Sequence, residues 1–497
     1  MSKHNPMNNS YKIISLTVLA ILFSMNVSLA ASLEFGPYEV GFETFQAYDH
    51  SRPYLLHEDT ISRPLLIHFW YPSKEKREGH PITFRDYIDL IALREDFNRS
   101  ESEVDMHSFN YVKAYSDFAK TNLGLDTSKS IQFLLDSPVY AKTGISLPNA
   151  GSGFPLLIYA PSNSKASVQN HLLCEYLASH GFLILSVASA GPNSIQRDKF
   201  EESTMAQVLD MEYILKYYEA RLKLNYTSLG LFGFSSGGNA ITLFQMRNKN
   251  VGAVLSLDGG QEYSTYMGLY SMPDFDLDKA NVPYMSLVNN YKSFSIYPYY
   301  HTISSAEKYL YRMPLLDHNG FISYWTYFDS CSPDSIKGNS GKSFASLSDC
   351  ALRFLSKYLK PGESMVDCSI PGEPAEQWIE PVTQDYTNIN SLCKTLLEND
   401  LDSAESLVEQ HKEELIGGAN QVNLLARMFS DNDRAAWLYQ KCVEYQPESW
   451  EALYDLGYYY KEKGEALLAT KALLKARELS PENPKLTELL IELEKME

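Results

Sequence analysis

The sequence predicts an α/β protein: a doubly wound, mostly parallel sheet with a helical insertion, followed by a separate all-α domain of helical hairpins. Three observations predict it. Between residues 154 and 359, short apolar runs alternate with amphipathic helical patterns, as strands buried on both faces beneath crossover helices require. Residues 84–150 read as helical, with no strong strand among them. Beyond Pro381 the strand signal ends and a repeat of about 34 residues takes over.

The chain has 497 residues, 44% of them hydrophobic, enough to bury a large core and to hold two to three domains. Its net charge of −19 comes with no basic cluster, which excludes nucleic acid and anionic membrane surfaces as expected partners. Residues 1–30 read as a secretory signal peptide: Lys3 and Lys12 precede the apolar run Ile13–Phe23, and Ser28-Leu29-Ala30 offers a small-residue cleavage site. The apolar run is too short to cross a hydrocarbon core of about 30 Å. Export to the periplasm or beyond is the expectation.

In residues 31–83 the clearest strand is Pro64–Trp70, ending at Tyr71-Pro72 because proline cannot continue a central ladder. The insertion 84–150 holds helices near Arg85–Phe97, Ser108–Lys120 and Ser130–Leu135; it would form either a lid or a plain surface excursion. Strands follow at Phe154–Tyr159, Phe182–Val187, Ser228–Phe234, Val251–Leu257, Tyr284–Val288 and Leu310–Leu315. The helices between and after them are Gln169–His180, Thr204–Leu222, Gly237–Arg247, Ser304–Lys308 and Ser346–Leu359. Residues 361–385 carry prolines and few apolar side chains, as a linker does. The first domain is thus expected to span 31–360 and the second 386–497.

Within 386–497, Ala435, Tyr439, Cys442 and Pro447 recur as Ala469, Leu473, Ala476 and Pro481. The last unit, with Leu456, Gly457, Tyr460, Gly464, Ala469, Ala476 and Pro481, has the spacing of a tetratricopeptide repeat, whose small residues let antiparallel helices approach closely. An irregular unit with Leu392, Ala404 and Val408 would precede these. Six cysteines at 174, 331, 350, 368, 393 and 442 lack C-x-x-C spacing, which argues against a zinc site. Cys331 with Cys350 and Cys368 with Cys393 are near enough to pair, and free thiols are an equal expectation. Cys174 and Cys442 read as buried core residues.

The chemistry is carried by Gly233-Phe234-Ser235-Ser236-Gly237, where an apolar strand ends and a helical pattern begins. That setting is a nucleophile elbow. A serine hydroxyl needs a histidine base held by a carboxylate. Three histidines follow Ser235: His411 lies in the repeats, and His301 in an aromatic stretch with no strand immediately before it. His318 follows a strand across a short step and suits the base. Asp258, at the end of an apolar strand, suits the acid; Asp274, Asp276 and Asp278 lie in a polar loop, and Asp317 is too close to His318 to orient its ring easily. The oxyanion donors expected are the amide of Ser236 and one within Ala160–Ser164.

Residues 35–360 resemble the platelet-activating-factor acetylhydrolase branch of the α/β-hydrolases, which includes dienelactone-hydrolase-like esterases. The likeness rests on Gly36-Pro37-Tyr38, Val40-Gly41-Phe42, Trp70-Tyr71-Pro72, Leu177–Phe182, the elbow, Leu257-Asp258-Gly259, and His318 followed by Phe321. The resemblance implies an acid soon after the serine, as Asp258 is, and places the second oxyanion amide on Asn163. Relatives usually carry His-Gly or Pro-Gly in that loop, where this chain has Pro161-Ser162. The expected activity is hydrolysis of a small-molecule or lipid carboxylic ester through an acyl-enzyme, with no cofactor or metal. Two other readings stand beside it: a serine peptidase, and a weakly active or inactive hydrolase-fold scaffold whose repeats bind a protein partner.

Overall fold

The computed structural model describes residues 33–494 except 75–78, 124–130, 149–152, 164–165, 198, 223–224, 264–265, 291–296, 304–306, 325–339, 363–367, 369–378, 383–390, 393–394, 397–399, 413–425 and 427–432. The segment expected as a signal peptide therefore lies outside the described residues, as do Cys331 and Cys393. Two compact units divide the described residues: one within Met1–Gly259, Asp278–Asn290 and Ser305–Val382, the other within Gly260–Leu277, Tyr291–Ser304 and Thr383–Glu497.

The first unit is an eleven-stranded sheet: β1 (Glu39–Leu56), β2 (Asp59–Ser73), β3 (His80–Thr83), β4 (Pro138–Thr143), β5 (Leu156–Ala160), β6 (Leu183–Val187), β7 (Leu229–Phe234), β8 (Val251–Leu257), β9 (Tyr284–Val288), β10 (Lys308–Arg312) and β11 (Glu380–Pro381), in the spatial order β11-β10-β9-β8-β7-β5-β6-β2-β1-β4-β3. The strands from β6 across to β10 are mutually parallel. β5, β6, β7 and β9 are buried at every residue, so they show no alternation. Strand order reverses at β5, flanked by β6 and β7, and such a switch point is where open α/β sheets bind ligands.

Helices α1 (Phe84–Ala92), α2 (Glu101–Leu123) and α3 (Ile131–Asp136) form the insertion. α1 is no surface excursion, since Phe84, Tyr87, Ile88 and Ile91 are buried in the main core. The expected absence of strands in 84–150 is corrected by β4, which pairs with β3 and touches β1. Only Ala141 of β4 is buried, so the strand carries no apolar period. Its hold is long-range: the Glu175 carboxylate accepts from the Tyr140 and Ala141 amides at 3.2 and 3.3 Å.

The crossover helices are α4 (His171–Ser179), α5 (Phe200–Arg221), α6 (Ser236–Arg247) and α7 (Ser340–Leu359). Three expectations are corrected here. β2 runs through Pro72, which pairs with Val40. The last parallel strand is 308–312 rather than 310–315, so Lys308 opens a strand instead of closing a helix; 304–306 lie outside the described residues. Glu380–Pro381, inside the expected linker, pair antiparallel with β10 and carry the first unit past residue 360. The cysteine pairing, left open between two neighbouring pairs and free thiols, is neither of those pairs: Cys350 on α7 bonds Cys368. Cys174 and Cys442 are free and buried.

The second unit contains α8 (Leu401–Gln410), α9 (Asp433–Tyr445), α10 (Trp450–Glu462), α11 (Ala466–Leu479) and α12 (Pro484–Glu494). α10 and α11 form a hairpin at the predicted small residues: a Cβ on Gly457 would lie 2.6 Å from Leu473 Cγ. Leu453, Ala469, Leu473, Ala476, Leu486 and Leu490 fill the core between α10, α11 and α12.

Candidate active site

Each element of the site sits at the C-terminal edge of the parallel strands. β7 ends at Phe234 and α6 begins at Ser236, leaving Ser235 as the single turning residue, with φ 55° and ψ −121°. A non-glycine residue there is strained, and strain of this kind persists where the surroundings enforce it. The flanking glycines allow the turn. A Cβ on Gly237 would lie 2.1 Å from the Ala160 carbonyl oxygen, and one on Gly233 would lie 2.6 Å from that of Gly237. The Ser235 amide donates to Leu257 O at 3.1 Å, so the elbow is pinned to β8.

Asp258 follows β8 with φ 48° and is wholly buried. Its amide donates to Leu287 O of β9 at 2.7 Å. Donors reach the carboxylate: the Asn289 amide meets Oδ1 at 2.9 Å, the Asn289 side-chain Nδ2 meets Oδ2 at 2.8 Å, and His318 Nδ1 lies 2.5 Å from Oδ2. His318 opens the short 3-10 turn His318–Phe321, whose cap is the Asp317 carboxylate accepting from the Gly320 amide at 3.0 Å. The ring is partly exposed, packs over Phe234 with centroids 4.9 Å apart, and sets Nε2 3.0 Å from Ser235 Oγ. The structure thus brings Ser235, His318 and Asp258 into one hydrogen-bonded line. Asp317 is occupied in its own turn. His301 sits in the short helix Pro298–Thr302, and His411 follows α8.

The Ser236 amide opens α6 and so has no acceptor within the helix. Asn163 is exposed in the turn after β5, beside Pro161 and Ser162. Gln207 of α5 donates from Nε2 to the Pro161 carbonyl at 2.8 Å, and its Oε1 accepts from Arg197 Nη1 at 2.7 Å. Burial pulls the Arg197 pKa down to about 10, which leaves it charged at neutral pH. The carbonyl of this glycine-poor loop is therefore held by a side chain.

Sequence reasoning missed Asn289 and Gln207. Asn289 had a signal: it follows β9 directly, as Asp258 follows β8, so both lie at one sheet edge. Gln207 had none, being one polar residue within a helix. Among the described residues no group of three or more His, Cys, Asp or Glu could hold a metal ion, and no helix is long and apolar enough to cross a membrane.

The mostly parallel sheet and its crossover helices have the architecture of the α/β-hydrolase fold, joined in this chain to a helical-hairpin unit. A tetratricopeptide-repeat family model matches residues 438–471, across α9, α10 and the start of α11. No curated protein matches the chain in sequence. Solved structures that resemble it include a ferulic acid esterase from Streptomyces cinnamoneus, at 16% identity over 70% of this chain and 97% of that one, with a TM-score of 0.49.

Proposed function

We propose that the chain is an exported serine hydrolase that cleaves a small-molecule or lipid carboxylic ester through an acyl-enzyme intermediate. The observation that carries this reading is the contact of Ser235 Oγ with His318 Nε2 at 3.0 Å, continued to the buried Asp258. Ser235 Oγ attacks the ester carbonyl while His318 Nε2 takes its proton. Asp258 holds the Nδ1–H tautomer and stabilises the imidazolium. The oxyanion is bound by the amides of Ser236 and Asn163. His318 then protonates the leaving alcohol, and water attacks the acyl-enzyme by the same route in reverse. No cofactor takes part. The acid at the end of β8, 23 residues after the serine, supports membership of the platelet-activating-factor acetylhydrolase and dienelactone-hydrolase-like branch. In this proposal residues 1–30 direct export, and the repeat unit recruits a protein partner, as stacked helical repeats do.

The test is hydrolysis of p-nitrophenyl esters of graded chain length by wild type and Ser235→Ala. Activity confined to wild type upholds the reading; equal rates in the two proteins overturn it. Deleting 386–497 tests the repeats separately: unchanged hydrolysis with loss of a captured partner supports recruitment.

A further inference from the structure

The segment that carries the oxyanion loop and the loop that carries the base are tied by buried side chains, Asn170 from one side and Ser323 from the other. After Pro161–Asn163, the chain enters the 3-10 turn Ser167–Asn170, which leads into α4. Asn170 is wholly buried. Its Nδ2 donates to the Phe321 carbonyl at 3.2 Å, and its Oδ1 accepts from the Ser323 amide at 3.2 Å. Ser323 Oγ returns a bond to the Gln169 carbonyl at 2.9 Å. Phe321 closes the same short turn that His318 opens. The base therefore stands on a loop gripped three and five residues downstream by a side chain of the oxyanion segment.

The insertion joins at the next residue back. Gln169 Nε2 donates to the hydroxyls of Tyr111 and Tyr115 on α2, both at 2.6 Å. The rings of Tyr111 and Tyr115 stand edge-on to Tyr324, at 6.4 and 6.0 Å between centroids. Consecutive amide side chains thus tie three separate stretches of chain: the insertion helix, the oxyanion segment and the base loop. Both polar ends of Asn170 are used on backbone, so no apolar or shorter side chain could make the same pair of contacts.

We propose that Asn170 is a positioning residue that sets the base loop against the oxyanion segment and so fixes His318 relative to Ser235. The His318 ring is held at its nitrogens by Asp258 and Ser235 and packs over Phe234, but it is partly exposed, so its place also depends on the backbone that carries it. This inference rests on the reading of Ser235 and His318 as nucleophile and base.

The experiment compares full-length wild type, Asn170→Ala and Asn170→Asp by steady-state p-nitrophenyl acetate hydrolysis, thermal melting and the downfield proton resonance of the His318–Asp258 hydrogen bond. In Asn170→Ala, kcat is expected to fall about 10- to 100-fold, the scale of a misplacement of about 1 Å, with KM unchanged and the resonance lost or shifted. Asn170→Asp keeps the acceptor for Ser323 but sets a buried carboxylate oxygen against the Phe321 carbonyl, so its kcat falls at least as far as that of Asn170→Ala. Folded variants with wild-type kcat and an unchanged resonance overturn the proposal, whatever their melting temperature. If wild type itself hydrolyses nothing, the catalytic reading fails on its own. The resonance then still decides the anchor: its loss in Asn170→Ala upholds the positioning of His318, and its retention overturns it.

Discussion

Replacing Asp258 by asparagine removes one charge and almost no volume, and the geometry dictates the consequence. The donors on the carboxylate include the Asn289 amide, the Asn289 side chain and His318 Nδ1. Asparagine offers one acceptor oxygen. If that oxygen faced His318, the new NH2 would oppose the Asn289 backbone amide, a buried donor clash costing about 1–3 kcal/mol. The backbone amide cannot turn away, whereas the Asn289 side chain can flip and the imidazole can change tautomer. The oxygen therefore faces the Asn289 amide and the NH2 faces His318 Nδ1. That forces the ring proton onto Nε2, which then donates towards Ser235 instead of accepting its proton. Loss of the base by this route costs about 10⁴ in kcat, or about 5.4 kcal/mol of barrier. The assay is kcat and KM for p-nitrophenyl acetate, with KM expected to stay at the wild-type value. A loss in kcat smaller than about tenfold would refute the role assigned to Asp258.

Other outcomes follow from the same contacts. Asn289→Ala removes a hydrogen bond to a buried charge worth about 1.5–3 kcal/mol, so kcat in the same assay should drop about 10- to 100-fold with the protein still folded. Gly237→Ala drives a Cβ to 2.1 Å from the Ala160 carbonyl oxygen; overpacking of this kind costs about 1–3 kcal/mol, read as a lower urea midpoint together with lost hydrolysis. Burial raises Glu175 to about 7, above the ordinary carboxylate value. The native state thus binds a proton more tightly than the unfolded chain, so stability contributed by this group is present at acid pH and lost as pH rises towards 7. Urea midpoints between pH 5 and pH 8 should fall in wild type and flatten in Glu175→Gln. Cys350→Ser opens a bridge spanning 18 positions and should lower unfolding free energy by about 3 kcal/mol, an effect that reducing agent reproduces in wild type.

The central strands were legible because burial on both faces leaves an unbroken apolar run, and the elbow because its glycines and serine fall within five consecutive residues between a strand and a helix, even though Gly237 answers to the distant Ala160 carbonyl. Asp258 and His318 were legible from strand ends and chain order. What local pattern could not supply was anything fixed from a distance. β4 takes its place from Glu175, which is remote in sequence, and shows no period of its own. α1 reads as any amphipathic helix, yet Tyr87 reaches Glu175 and Trp70 in the core. Cys350 finds Cys368 because α7 brings them together, a choice that spacing alone left open. Asn170 and Gln207 hold backbone carbonyls of other loops, and a lone amide in a helix or turn announces no such partner.

The measurement that tests the account most directly is covalent labelling of the purified protein with a fluorophosphonate, followed by mapping of the modified residue. The account predicts stoichiometric modification at Ser235, abolished in Ser235→Ala and strongly slowed in His318→Ala, with p-nitrophenyl ester hydrolysis lost in step. Labelling at another serine, or hydrolysis that survives in Ser235→Ala, would contradict it.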